Sequence, residues 1–177
     1  ISFSMNAQIS TNTTTNTGTH ASAIGDTTKA SGNTSTAMGY KSTASGGIST
    51  AMGDDTEASG SASTAMGYHT IALGNSSTAM GRNTDASNFA ATAMGVSTTA
   101  SGNASTAMGY STTASDYASL VIGQYNLSGS TITNSADSFN TANTAFVIGN
   151  GTYDAKSDAL KVMFNGDTTV GNDLTVS

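Results

Sequence analysis

Alanine returns at every seventh position of this chain, at residues 23, 30, 37, 44, 51, 58, 65, 72, 79, 86, 93, 100, 107 and 114, with Val121 next in register. Glycine stands at 25, 39, 53, 67, 81, 95, 109 and 123, always 14 apart. The residue before each of these glycines is long and apolar: Ile24, Met38, Met52, Met66, Met80, Met94, Met108 and Ile122. Disordered chains keep no such register. A period held this long marks a repeat architecture, in which each unit buries its face only by stacking on its neighbours. Each 14-residue unit divides into halves, Ala-Met-Gly and then Ala-Ser-Gly.

A period of seven would also suit a coiled coil, but each heptad here holds one Ala, a Gly and several Ser or Thr. Gly costs about 1 kcal/mol per helical position relative to Ala, and Ser and Thr add to that, so a helix is excluded. Read as strands, Thr36-Ala37-Met38 alternates, with Ala37 on one side and Thr36 and Met38 on the other. Gly39 is expected to end the strand. In the second half-repeat Ala44 takes the place of Ala37, and Ser45 that of Met38. Two short strands per repeat, stacked coil on coil, predict a flat parallel β-roll with an alanine ladder inside.

Composition decides what such a roll needs. Counts of 31 Thr, 27 Ser, 26 Ala and 20 Gly in 177 residues leave little to fill an ordinary core. A buried Ala stabilises by about 1 kcal/mol or less, whereas ordering a residue costs about 1.5 kcal/mol. A single-chain roll is therefore marginal. The ladder Ile24, Met38, Met52, Met66, Met80, Met94, Met108 and Ile122 lies on one sheet, while the matching positions of the other are Ser31, Ser45, Ser59, Ser87, Ser101 and Ser115. One sheet is expected to face a partner and the other water. Unbranched Met suits an axial core where equivalent chains meet, and closed symmetry fits a stripe that faces copies of itself.

The pattern Ser-Thr-Ala-Met-Gly-Tyr followed by Thr-x-Ala-Ser-Gly, as in Ser35 to Gly46, Ser63 to Tyr68 and Ser105 to Gly109, resembles the YadA-like head repeat of the trimeric autotransporter adhesins of Gram-negative bacteria. That family's usual motif reads Ser-Val-Ala-Ile-Gly. Here Met stands for Ile, and Thr36, Thr50, Thr64, Thr78, Thr92 and Thr106 stand where Val is common. The resemblance covers about residues 21 to 123. It implies an all-β, left-handed parallel β-roll, three chains around one axis, and extracellular attachment to a target surface.

Four segments are expected: residues 1–20 as an N-terminal cap, with Phe3, Met5 and Ile9 suited to cover the first coil; 21–123 as the roll; 124–150 as an excursion and a last coil; and 151–177 as a β-rich connector. Solenoid ends need covers because open strand edges recruit other chains. Ala145-Phe146-Val147-Ile148-Gly149 restores one bulkier copy, but Gly149 follows Gly123 by well over one repeat, so the interval holds a loop able to leave the roll and to carry function. Beyond it, alternation around Asn165-Gly166 signals a hairpin. This segment, with Leu174-Thr175-Val176, resembles the β-rich repeats leading out of phage tail fibres and related bacterial fibres. The chain begins at Ile1 rather than Met and is read as a piece of something longer.

Charge and residue usage exclude several classes. Lys+Arg 5 against Asp+Glu 11 gives net charge -6, which repels phosphate and makes nucleic acid an unfitting partner. Apolar runs of a few residues fall far short of the roughly 20 that span a bilayer, so no direct membrane insertion is expected here. His20 and His69, with Asp54, Asp55 and Glu57, match no ligand spacing, and no metal, cofactor or catalytic residue is expected. Asp158, Asp167 and Asp173 lack the Gly-Asp pattern of calcium-binding β-helices.

Candidate contacts remain. Tyr40, Tyr68 and Tyr110 follow Met-Gly at turns, where a ring stacks on a sugar or shields the seam between subunits; Arg82 occupies the same place and His69 adjoins it. Leu73 replaces an outer-face Ser beside Ile71, giving an apolar spot that is either a ligand contact or a tolerated exposed Leu. The expected function is a non-enzymatic, homotrimeric adhesin or fibre head that binds a surface glycan or protein through its roll or loop. The alternatives are an ice-binding solenoid, although the outer ladder Lys29, Thr43, Glu57, Ile71, Asp85, Thr99, Thr113 is interrupted by charges, or an inert spacer. A polysaccharide-cleaving solenoid would need paired carboxylates in a groove, which a flat coil does not form.

Overall fold

The computed structural model describes residues 10–127, 129–130 and 135–171, with the backbone alone for 10–12. Among them every regular element is a strand. Each 14-residue unit gives one strand of five residues and one of two, as in Thr36–Tyr40 and Thr43–Ala44, then Thr50–Asp54 and Glu57–Ala58. Pairing is parallel and steps by one repeat: Ala37 lies beside Ala51, and Met38 beside Met52. The long strands belong to a 12-stranded sheet and the short ones to an 8-stranded sheet, the two walls of a β-solenoid.

Strands form because Thr and Met suit a pleated face and because alternation turns each Ala inward. The alanines from Ala30 to Ala114 in the ladder are fully buried. The interior between the two walls is shallow because, from coil to coil, alanine is what fills its middle. Two further ladders line its corners: Thr28, Ser42, Thr56, Thr70, Thr84, Thr98 and Thr112 on one side, and Ser35, Ser49, Ser63, Ser77, Ser105 and Ser119 on the other, all buried. Some of their hydroxyls bond across coils: Thr56 Oγ1 bonds Ser42 Oγ at 2.9 Å, and Ser42 Oγ donates to the Gly53 carbonyl at 3.0 Å.

The glycine does not end the long strand, contrary to expectation. Pairing runs through Gly39 with Gly53 and on to Tyr40 with Asp54. Gly39 has φ +115°, and a Cβ there would lie 2.1 Å from the Gly53 carbonyl oxygen. The coil bends at this point while keeping its register, which only a residue without a side chain allows. At both corners a left-handed residue recurs every seven positions, including Thr34, Lys41 and Ile48. Its N–H continues the ladder, as Lys41 N donates to the Asp26 carbonyl at 2.9 Å and Ile48 N to the Asn33 carbonyl at 2.8 Å.

At the start, Ser10–Asn12 and Thr15–Asn16 pair in parallel with the strands containing Gly25 and Lys29, so the stack reaches back into the segment expected as a cap. Phe3, Met5 and Ile9 lie outside the described residues. At the other end Thr144–Asn150 rejoins the stack in parallel, with Ile122 beside Ile148 and Gly123 beside Gly149. Asp158–Met163 then pairs antiparallel to it, and Thr168–Val170 antiparallel to that. The hairpin expected at Asn165-Gly166 is present, with Gly166 at φ +91°; Leu174 to Val176 lie outside the described residues.

Candidate functional site

Three outward surfaces carry the expected site residues. On the long-strand sheet the register aligns Ile24, Met38, Met52, Met66, Met80, Met94, Met108 and Ile122 into one stripe. Their side chains are half-buried to exposed in the single chain. The stripe continues beyond the repeat: Ile122 lies beside Ile148 and Ile148 beside Leu160. Leu120, Phe146 and Val162 lie two residues away in register and widen it. Ile148 takes the place that the restored copy Ala145 to Gly149 gives it, whereas Leu160 had no place in the sequence reading of the ladder, because it sits on an antiparallel strand. The stripe is continuous and apolar along the stack.

The second surface is the corner that follows the long strands. It gathers Tyr40, Tyr68, His69, Arg82 and Tyr110 into one column of the stack, and neighbours within it touch. His69 Nδ1 is 2.7 Å from Asp55 Oδ2, and the His69 ring stands edge-on to Tyr68 with centroids 4.1 Å apart. The Arg82 guanidinium lies 5.9 Å from the centre of the Tyr68 ring, and Lys41 Nζ lies 5.1 Å from that of Tyr40. At the C-terminal end Tyr110, Tyr125 and Tyr153 form a chain of edge-to-face contacts at 5.3 and 6.3 Å. A hydrogen bond with the Tyr110 side chain, and then burial, raise the Tyr125 phenol above its usual range. Tyr153, which is 81% exposed, was not signalled by the repeat, since it falls after the last copy. His20 belongs to the left-handed set on the other edge and does not meet His69. Among the described residues no three His, Asp or Glu side chains converge.

The outer face of the short-strand sheet is the third. Ile71 lies half-buried between Glu57 and Asp85 on adjacent strands, and Leu73 is 44% exposed. Burial raises the Asp85 carboxyl above its ordinary value, and the Ser87 hydroxyl offsets this in part. The spot is thus apolar with an acidic margin.

The excursion after Gln124 is anchored by three buried polar residues that the repeat pattern did not reveal. Asp116 stands where most coils have Gly and is fully buried. It accepts Ser130 N at 2.7 Å, Ser130 Oγ at 3.0 Å and Thr144 N at 2.8 Å. Burial alone raises its carboxyl, but the hydrogen bonds from Ser130, Thr144 and Ser135 together hold it below the ordinary range. Asn126 completes the edge of the short-strand sheet, accepting Thr113 N at 2.7 Å and donating to the Thr113 carbonyl at 3.0 Å, so its amide stands in for a further strand. Asn143 Nδ2 donates to the carbonyls of Ser135 and Ser138 at 3.2 and 2.9 Å. Residues 135 and 136 fold back along the roll, with Asn103 N donating to the Ala136 carbonyl and Tyr117 N to that of Ser135. The loop that the sequence left free to depart thus doubles back over the N-terminal ends of the long strands in its described part.

No curated protein sequence matches the chain. The YadA head domain repeat, a profile spanning two copies of the motif, matches residues 17–42, 30–56, 44–70, 58–84, 86–112 and 100–126, more than half of the chain. The matched spans coincide with the stacked strands whose alanines point inward and whose Met-Gly pairs run in register. The chain therefore belongs to the YadA head domain repeat family.

Proposed function

We propose that the chain is the head of a non-enzymatic, homotrimeric adhesin or fibre displayed at a cell surface. The observation that carries this reading is the contrast between an interior of alanine and a long, half-exposed stripe of Met and Ile on one wall. Buried alanine contributes too little to hold the roll alone, and an outer Met stripe gains its share only when equivalent stripes meet. Membership of the head-repeat family supports the same conclusion. Attachment by shape and avidity requires no cofactor, metal or catalytic residue. Three chains present three equivalent sites, and multivalency raises weak binding by about 10²- to 10⁴-fold when geometry permits.

The target is a glycan or protein of a facing surface. With the Met wall turned inward, the short-strand wall faces outward with Ile71 and Leu73, and the outer rim of the corner column offers Tyr40, Tyr68, His69, Arg82 and Tyr110. The test is an array of glycans and matrix proteins probed with the wild-type chain, Leu73→Asp and Tyr68→Ala. Binding by the wild type with at least about tenfold loss in one variant is expected, since a desolvated apolar or aromatic contact is worth more than about 1.4 kcal/mol. Binding unchanged in both variants would displace the site from these residues. No binding to any surface would leave a spacer.

A further inference from the structure

Two edges flank the Met wall, and their side chains differ in kind. The edge at the C-terminal ends of the long strands carries Tyr40, Tyr68 and Tyr110. The opposite edge is mostly Gly, Ser, Ala and Asn, yet besides Tyr117, half-buried beside the excursion, it holds two large apolar residues: Ile48, 68% exposed, and Phe89, 59% exposed. Ile48 is also left-handed, at φ +61°. A β-branched residue rarely adopts that conformation, which brings its Cβ close to the backbone carbonyl. Exposed and strained, Ile48 contributes little within its own chain.

The two edges can be compared by height. Each corner of one edge lies half a coil between two corners of the other. Beside the level of Tyr68 the opposite edge has Ser61-Ala62 and Asn75-Ser76, which are small. Beside the level of Phe89 the tyrosine column has Arg82 and Val96, and Val96 replaces the Tyr, Asp, Arg or Gln found at the corresponding position of other coils. Tyr68 thus faces small residues across the seam, Phe89 lies level with an aliphatic and a cationic side chain, and Ile48 lies level with Tyr40 and Asp54.

From this we infer that the two edges form the seam between subunits, the tyrosine edge of one chain packing on the Ile48–Phe89 edge of the next, with Phe89 seated on Val96 and Arg82 of the neighbouring copy and Ile48 on its Tyr40. The inference rests on the threefold reading above. When the Met wall faces an axis parallel to the stack, a 120° rotation without translation brings opposite edges together at equal height. Such a contact is heterologous and closes into a ring. Where Ser135 and Ala136 cover Asn103 and Tyr117, the seam is lined by the excursion instead. A ligand bound at the tyrosine column would then contact two chains at once.

The chain has no cysteine, so introduced thiols are the sole ones. In a Phe89→Cys/Val96→Cys double variant the first residue precedes the strand Thr92–Val96 and the second ends it, and the strand alone spans about 13 Å at roughly 3.3 Å per residue, too far for a bridge within one chain. Under mild oxidation the double variant is expected to give a covalent trimer on a non-reducing gel, and each single variant none. Tyr40→Cys/Ile48→Cys is the independent probe should the first pair disturb folding, and it is expected to give the same trimer. A trimer by light scattering that neither pair cross-links overturns the seam while leaving the threefold reading intact. A folded monomer overturns both. Cross-linking of Tyr68→Cys with Phe89→Cys in place of Val96→Cys overturns the stated register.

Discussion

The regular roll and the end that follows it solve the same problem with opposite means. In the roll, residues 21–123 hold their place by repetition: every coil presents Ala inward and Gly at the bend, and register comes from identical neighbours. Before the last coil the size of the inward residue matters more than its identity. From the last coil onward, by contrast, single buried polar residues do the positioning: Asp116 gathers the returning chain, Asn126 closes the short-strand sheet, and Asn143 braces the loop. A repeat propagates without specific chemistry, but stopping one requires it, because the last coil exposes N–H and C=O groups with no successor.

That comparison is broken most severely by size in the roll. Ala79→Leu places three extra carbons where a fully buried Ala already meets its neighbours, and a loss of about 3 kcal/mol or more, with collapse of the β signal in circular dichroism, is expected. Asp116→Ala comes next: it leaves two buried backbone N–H groups without an acceptor, at about 1–3 kcal/mol each, and hydrogen exchange should quicken in the excursion while the central coils keep their protection. Equal quickening throughout would erase the distinction between the two regions. Asn126→Ala removes two hydrogen bonds at the sheet edge and is expected to lower stability by about 1–2 kcal/mol in a denaturant titration.

Titration sharpens the contrast, because two carboxyls respond with opposite sign. Asp116 is held below the ordinary value of 3.8, so its contribution is intact above that pH and is lost as pH falls through the lower folded value. Asp85 is raised by burial, so the folded state gains as it protonates, and that gain is lost as pH rises through its folded value. Melting curves at neutral pH should therefore show Asp116→Asn below the wild type and Asp85→Asn level with it or above. The smallest effect is expected at the solvent-facing pair: Asp55→Asn changes stability by less than about 1 kcal/mol despite the 2.7 Å contact with His69.

The alanine ladder, the glycine register, the Met stripe and the hairpin at Asn165-Gly166 were legible in the sequence because each rests on one residue type at fixed spacing. The inner Ser and Thr ladders share the seven-residue period, from Thr28 to Ser119, but were hidden: Ser and Thr also fill the outer positions, so composition masks the pattern. The left-handed corners were illegible for another reason. Thr34, Lys41, Ile48, Asp55 and Ala62 all occupy them, and the backbone ladder rather than side-chain preference fixes their φ. Gly39 was read as a strand end from its general habit, whereas close approach to Gly53 explains its presence within the pairing. The anchors Asp116, Asn126 and Asn143 occur once each, and no period exposes them. The edge contacts of Tyr68, His69 and Arg82 followed from the repeat once stacked, since one repeat in sequence is one step in space.

The central claim is that the Met stripe is a core between chains. Light scattering after gel filtration of the purified chain tests it most directly. A folded, concentration-independent species of three times the 17.5 kDa chain mass is expected. A folded 17.5 kDa monomer with native β signal would contradict the account, since the alanine interior would then suffice and the Met stripe would stand open to solvent.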